Sequence, residues 1–260
     1  MEDILHKIVE NKRVELSKTN FDGIEQRARE CKRVPISMAN ALRTKKGGII
    51  AEFKRKSPSK GWINQDGNPI EVVKGYSQAG AAACSILTDK DFFGGDINDL
   101  IAARSVAGDT PLLRKEFIID PRQIYQARVA GADAVLLIAA CLTKEECAEL
   151  ASVAHSVGLE VLLEVHAESE LEYVSDDIDM LGVNNRNLGS FKTDINNSFM
   201  MASKMRATNA NVVLVSESGI DGVGTIKELQ NAGFEGFLIG ESFMKRSNPA
   251  QVVNQVINEL

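Results

Sequence analysis

A short apolar run recurs eight times after residue 48, and no other feature constrains the fold of this chain as strongly. The runs are IIAEFK at 49, ACSILT at 83, PLLRKEF at 111, AVLLIA at 134, EVLLEV at 160, MLGVNN at 180, VVLVSESG at 212 and GFLIG at 236. Most are nearly continuous in apolar residues, the pattern of strands buried on both faces of a parallel sheet. Such strands need helices over them, and the intervening segments carry helix punctuation. Asn68-Pro69 opens a segment that closes at Gly80, Asp120-Pro121 one that closes at Gly131, and Asn248-Pro249 opens the last. Each pairs an N-cap side chain with a first-turn proline, and the first two also end on a glycine. Thr143 with Glu146 fits a capping box, and Asp96 to Gly108 brackets another apolar-periodic segment. Eight strand–helix units favour a closed α/β architecture, the (β/α)8 TIM barrel, over an open doubly wound sheet.

Residues 1–48 precede the first run. Ile4, Leu5, Ile8 and Val9 stand at helical spacing, so this stretch is expected to form extra N-terminal helices packed on the barrel. No Pro/Ser-rich tract, charge block or low-complexity stretch interrupts residues 49–260. One domain, 1–260, is therefore expected, with 1–48 as a helical extension and 49–260 as the barrel.

Charge and composition narrow the function. Thirty basic against thirty-six acidic residues leave a formal charge of −6, the wrong field for a nucleic-acid binder. An anionic ligand must then be caught locally. Cys31, Cys84, Cys141 and Cys147 contain no Cys-x-x-Cys pair and are expected to be buried free thiols, which suits a reducing cytoplasm. The charged start Met-Glu-Asp-Ile-Leu-His-Lys lacks the apolar stretch of an export signal. Ala134–Leu142, the longest apolar run, is far short of the about 20 residues a membrane helix needs, so no membrane association is expected. His6, His155 and His166 show no metal-ligand spacing, and no dinucleotide or Walker-type phosphate loop is present. The expectation is chemistry without metal or cofactor.

In a barrel of this class the chemistry gathers at the C-terminal ends of the strands. Charged and polar residues interrupt or end the apolar runs there: Glu52 and Lys54 in the first, Lys115 in the third, Glu164 in the fifth, Asn184 and Arg186 at the sixth, and Glu217 at the seventh. Alternation puts Glu52 and Lys54 on the side of Ile50, with Ala51 and Phe53 opposite. Any one of these could be a structural salt bridge. Together, lysines and carboxylates at one mouth supply acids and bases whose pKa values proximity can push apart.

A second signal is anion binding. Ser216-Glu217-Ser218-Gly219 follows the seventh strand and Gly240-Glu241-Ser242 the eighth, the two places where barrels commonly hold phosphate. Either glycine alone could merely serve a tight turn. Lys54-Arg55-Lys56-Ser57-Pro58-Ser59-Lys60-Gly61 puts four cations within seven residues after the first strand, a loop that could close over an anionic substrate or simply be a solvated surface.

The motif Ile49-Ile50-Ala51-Glu52-Phe53-Lys54 with Ser57-Pro58-Ser59-Lys60-Gly61 resembles the signature of indole-3-glycerol phosphate synthases. The likeness continues in family order through Ser85-Ile86-Leu87-Thr88-Asp89 with Phe93-Gly94-Gly95, Pro111-Leu112-Leu113-Arg114-Lys115-Glu116-Phe117, and Glu160-Val161-Leu162-Leu163-Glu164-Val165-His166. It is completed by Gly182-Val183-Asn184-Asn185-Arg186-Asn187-Leu188, Val215-Ser216-Glu217-Ser218-Gly219-Ile220 and Phe237-Leu238-Ile239-Gly240-Glu241-Ser242. Two departures stand out: Asp96 where many relatives have serine, and Trp62 in place of a smaller apolar residue.

The resemblance implies a carboxy-lyase of tryptophan biosynthesis. Its substrate would be the sugar phosphate 1-(2-carboxyphenylamino)-1-deoxyribulose 5-phosphate, closed to indole-3-glycerol phosphate with loss of carbon dioxide and water. It implies that Lys115 protonates or polarises the sugar carbonyl and that Glu164 is the acid/base partner in dehydration. Glu52 and Asn184 would position or share protons, and Lys54 would contact the carboxylate or serve as a second acid. Ser57, Arg186 and Glu217 would line the substrate pocket, and Ser218, Gly219, Gly240 and Ser242 would hold the phosphate. It also implies a monomer, with association with other tryptophan-pathway enzymes left open. The rival readings are another phosphate-binding barrel isomerase, a Schiff-base aldolase using Lys115, and a barrel that binds a sugar phosphate without catalysis.

Overall fold

The computed structural model describes residues 4–187, 192–209 and 211–260; Leu188, which closes one of the motifs above, lies outside them. Eight parallel strands close into a barrel: β1 (Ile49–Phe53), β2 (Ala83–Leu87), β3 (Leu112–Lys115), β4 (Ala134–Ile138), β5 (Glu160–Val165), β6 (Met180–Asn184), β7 (Val213–Glu217) and β8 (Gly236–Ile239). Each pairs with its sequence neighbours, and β1 closes the ring by pairing Ile49 with Phe237 and Ile50 with Ala83. All eight coincide with the eight apolar runs.

The alternation within each strand sorts its side chains into two cores. Ile50, Leu113, Leu136, Leu162, Met180, Val213 and Leu238 point inward and pack with one another. Ala51, Phe53, Val135, Val161, Leu163, Leu181 and Leu214 point outward, under the helices. Because both faces are dry, the strands read as continuous apolar runs.

The helix punctuation works as its chemistry requires. Asn68, Asp96 and Asp120 each accept a backbone N–H two residues on, and Asn248 accepts that of Gln251, at the starts of Pro69–Gln78, Ile97–Arg104, Pro121–Ala130 and Pro249–Glu259. Thr143 and Glu146 form the reciprocal capping box of Lys144–Ser156. Asp96 is therefore an N-cap, a job that serine would also do. The alternation breaks once: between β5 and β6 there is a 3-10 segment, Glu168–Tyr173, where an α-helix was expected. The fourteen residues between those strands are the shortest strand-to-strand connection of the barrel.

The N-terminal segment forms three helices, α1 (Ile4–Lys18), α2 (Ile24–Glu30) and α3 (Met38–Thr44). Leu5 and Ile8 of α1 pack with Phe92, Phe93 and Cys141, all of which follow strand C-termini. Lys12, fully buried, ties the helix to Asp89 and Glu116 at 3.1 Å each. Helix α3 covers the opposite mouth, where Glu160 at the start of β5 accepts from the backbone of Met38 and Ala39. The four cysteines are free; Cys84 and Cys147 are buried as expected, whereas Cys31 and Cys141 are only half-buried. Cys141 lies just past the end of β4, at the margin of the core.

Candidate active site

A cavity of about 520 Å³ opens at the C-terminal ends of the strands. Its wall includes Glu52, Lys54, Ser57, Lys115, Asn184, Arg186 and Glu217, and also Ser218, Gly219, Gly240 and Ser242. The positions picked out from the sequence thus converge on one space, with a single exception. Glu164 is buried and does not line the cavity; it reaches the site through Lys115.

Lys115 is the hub. Its Nζ donates to Glu164 Oε2 at 2.8 Å and to Glu217 Oε2 at 2.7 Å, which brings β3, β5 and β7 to one ammonium. Burial opposes the charge on Lys115, but Glu164, Glu217 and Glu52 outweigh it and raise its pKa above the ordinary lysine value. The two carboxyls are pushed apart. Burial, with Glu164 close by, pushes Glu217 up to about 8 against the pull of Lys115. Glu164 is held down because Lys115, His166 and Asn184 overcome its burial. Lys115 is thus biased toward its ammonium and Glu164 toward its carboxylate, while Glu217 is biased toward its protonated form, which sets an acid and a base side by side.

Glu52 and Lys54 pair at 2.5 Å on the inward face of β1, as their spacing requires. Two glycines make room for the buried carboxyls. A Cβ on Gly182 would lie 2.5 Å from Glu217 Oε1, and one on Gly240 would lie 2.2 Å from Glu52 Oε1. Gly240 has φ −123, so its need is space, not the tight turn that a glycine at a strand end suggests. Ser218 and Gly219 are different: both adopt left-handed backbone, φ 67 and 74. Ser216 turns away from the cavity and bonds Asn185 and Ser198 behind the strand.

The basic loop after β1 is less of an anion clamp than its four cations suggest. It folds as a small hairpin, pairing Lys56 with Trp62 and Ser57 with Gly61. Arg55 is spent on a two-pronged pair with Asp99, and Lys56 donates to the Asp91 carbonyl. Of its four cations, Lys54 and Lys60 line the cavity. Trp62, half-exposed, packs over Gly94, where a Cβ would meet its ring at 2.9 Å. Ser57 is buried with an unpartnered hydroxyl, and Arg186 reaches across to Ser59 at 2.7 Å.

His166 was not singled out by the sequence as a site residue, although it stands two residues beyond Glu164 on the same side of β5. Its Nε2 lies 3.4 Å from Glu164 Oε1. Lys60 and Thr193, also absent from the sequence-derived set, line the cavity as well. Among the described residues no group of three or more His, Cys, Asp or Glu is arranged to hold a metal ion. No helix among them is long and apolar enough to cross a membrane.

Residues 5–256 match the family model described as indole-3-glycerol phosphate synthase. The chain is 51% identical to the indole-3-glycerol phosphate synthase of Bacteroides thetaiotaomicron, with all of both chains covered. It is 42% identical to that of Acinetobacter baylyi, covering 97% of this chain and 95% of that one. Among solved structures it resembles a 3-hexulose-6-phosphate synthase at 14% identity and a TM-score of 0.63, covering 82% of this chain and 99% of that one. It also resembles a chain of the tryptophan synthase complex of Pyrococcus furiosus, at 12% identity and a TM-score of 0.61, covering 83% and 98%. At those identities the structural likeness speaks for the barrel alone.

Proposed function

Because the chain belongs to the indole-3-glycerol phosphate synthase family, a family of decarboxylating lyases in tryptophan biosynthesis, we propose that the groups around Lys115 carry its ring closure and dehydration. The observation that carries this reading is the Lys115 ammonium held between Glu164 and Glu217 in a cavity whose far wall is Ser218, Gly219, Gly240 and Ser242. The enzyme acts on a sugar phosphate, in this reading 1-(2-carboxyphenylamino)-1-deoxyribulose 5-phosphate. Its phosphate sits against the backbone N–H groups and hydroxyls of that wall, where small residues let an anion approach.

The ring carbon that bears the carboxylate attacks the ketone carbon of the sugar. Lys115 donates a proton to the developing oxyanion, and the new carbon–carbon bond is followed by loss of carbon dioxide. The resulting hydroxyl must then leave as water while a proton is removed from the ring system. Glu164, kept as a carboxylate, is the group suited to take that proton, and Lys115 or Lys54 the one to give a proton to the leaving hydroxyl. Glu52 keeps Lys54 directed into the cavity, and Asn184 bonds Glu164. Glu217, Ser57 and Arg186 contact the substrate. The reading includes a monomer working as a single domain, 1–48 serving as extension and 49–260 as barrel. Free thiols at all four cysteines suit a cytoplasmic setting.

The test is to mix purified protein with the carboxyphenylamino deoxyribulose phosphate, adding no metal or nucleotide, and to follow indole fluorescence. Turnover is expected. Tight binding without turnover would favour a barrel that only binds sugar phosphates, and trapping of Lys115 by borohydride would replace proton transfer with a Schiff base.

A further inference from the structure

We propose that His166 is the positioning residue for Glu164, fixing one oxygen of its carboxylate while Lys115 fixes the other. The inference rests on the reading of Glu164 as a proton-transfer group. His166 follows the end of β5 by one residue, and the strand alternation keeps it on the inward side with Glu164. Its Nε2 lies 3.4 Å from Glu164 Oε1, while Lys115 Nζ donates to Oε2 at 2.8 Å. The carboxylate is thereby approached from both sides by groups that can donate, which fixes its plane as well as its place.

The ring is itself backed. Its Nδ1 lies 3.9 Å from Glu170 Oε2, and that same oxygen accepts from the backbone N–H of His166 at 2.5 Å and of Ala167 at 3.3 Å. Glu170 begins no cavity contact of its own; it pins the backbone on which the imidazole stands. The resulting line runs from Glu170 through His166 to Glu164 and on to Lys115.

Both ring nitrogens are buried and neither has a hydrogen-bond partner. A buried polar group without a partner is costly, and such groups gather where function holds them. The contact nearest to hand is the one to Glu164, at least about half an ångström longer than a charge-assisted hydrogen bond. Catalytic hydrogen bonds are commonly long in the empty site and tighten when substrate is bound. His166 also works with Lys115 against burial to keep Glu164 ionised.

The experiment compares H166A, H166Q and E164Q with the unaltered enzyme. H166A should lower kcat by about 10-fold, the cost of a loosely placed base, with KM changed by less than about threefold. In H166Q the longer amide carries its N–H to where Nε2 stood, facing Oε1, so most of the lost kcat should return. The chain has three histidines, so the ring ¹⁵N signals of His166 are those missing from H166Q, and E164Q should shift them at fixed pH. That last measurement holds even if H166A does not fold. Unchanged kcat in H166A, an effect on KM alone, H166Q no better than H166A, or ring signals indifferent to E164Q would each overturn the inference. If E164Q is inactive while H166A is normal, this inference alone fails. If E164Q turns over normally, the reading of Glu164 fails and His166 has nothing to position.

Discussion

The two mouths of the barrel treat buried carboxylates in opposite ways. At the N-terminal mouth Asp133, wholly buried, accepts from Arg33 at 2.7 Å, from Arg104 at 2.9 Å, and from the backbone of Ile36 and Leu112 at 2.8 Å each. Glu160 likewise takes the Ser37 hydroxyl and the Met38 and Ala39 N–H groups. At the C-terminal mouth Glu164 and Glu217 share one lysine, and Glu217 Oε1, Ser57 Oγ and both nitrogens of His166 have no hydrogen-bond partner. Carboxylates whose oxygens are bonded hold an end of the fold together. Unfilled ones leave bonding capacity for a ligand, at a cost in stability that only a reaction justifies.

The sharpest way to break this contrast is at its two hubs. Lys115→Met should lower turnover by at least about 100-fold while a phosphate ligand binds within a few fold of normal, because it removes the acid and leaves the anion wall alone. Near-normal turnover in the indole fluorescence assay would end the role assigned to Lys115. Asp133→Ala should do the reverse. It strands two arginines and two backbone N–H groups, a loss of about 3 kcal/mol, at the lower end of the range for broken buried pairs because Arg33 keeps 28% of its side chain in solvent. Denaturant unfolding should show that loss, with kcat per folded molecule unchanged. A Lys115 variant that mainly unfolds, or an Asp133 variant that mainly loses turnover, would erase the distinction between the mouths.

A finer break is Gly240→Ala. The new Cβ would fall 2.2 Å from Glu52 Oε1, so Glu52 must move and release Lys54. A displacement on that scale should cost between about 10- and 100-fold in kcat/KM. If Gly240 served only the turn, its ordinary φ of −123 would let alanine in without loss.

Much of this was legible in the sequence, for identifiable reasons. The strands are legible because burial on both faces writes a continuous apolar run, and the caps because Asn, Asp and Thr satisfy the first N–H groups of a helix wherever they stand. Inward charges such as Glu52, Lys115 and Glu217 are legible as violations of that same pattern. What a loop cation does is not legible, since Arg55 is settled by Asp99, forty-four residues away, and Lys56 by a carbonyl in the next loop. Nor could spacing tell that Gly240 yields room to Glu52 from a neighbouring strand. The 3-10 segment at Glu168–Tyr173 lies in the shortest strand-to-strand connection, a length that a count of strand–helix units passes over.

The smallest effect, and the one that tests the stability cost directly, belongs to Glu217→Gln. In the folded protein burial raises the Glu217 carboxyl from its ordinary 4.5 to about 8. Between those values the folded molecule keeps a proton that the unfolded chain has given up. Stability from this group is therefore fully present below about pH 4.5 and declines as pH rises through about 8. Glutamine keeps the shape of the protonated form and cannot ionise, so the variant should lack this decline. Melting temperatures of the two proteins should run close together at pH 5 and separate in favour of the variant by pH 9, by several degrees, while its turnover falls. At the N-terminal mouth Asp133 offers no such gain, because its carboxylate is already matched by two cations. Parallel melting curves for Glu217→Gln and wild type would mean that Lys115 compensates the Glu217 charge in full, and the two mouths would then differ in chemistry without differing in strain.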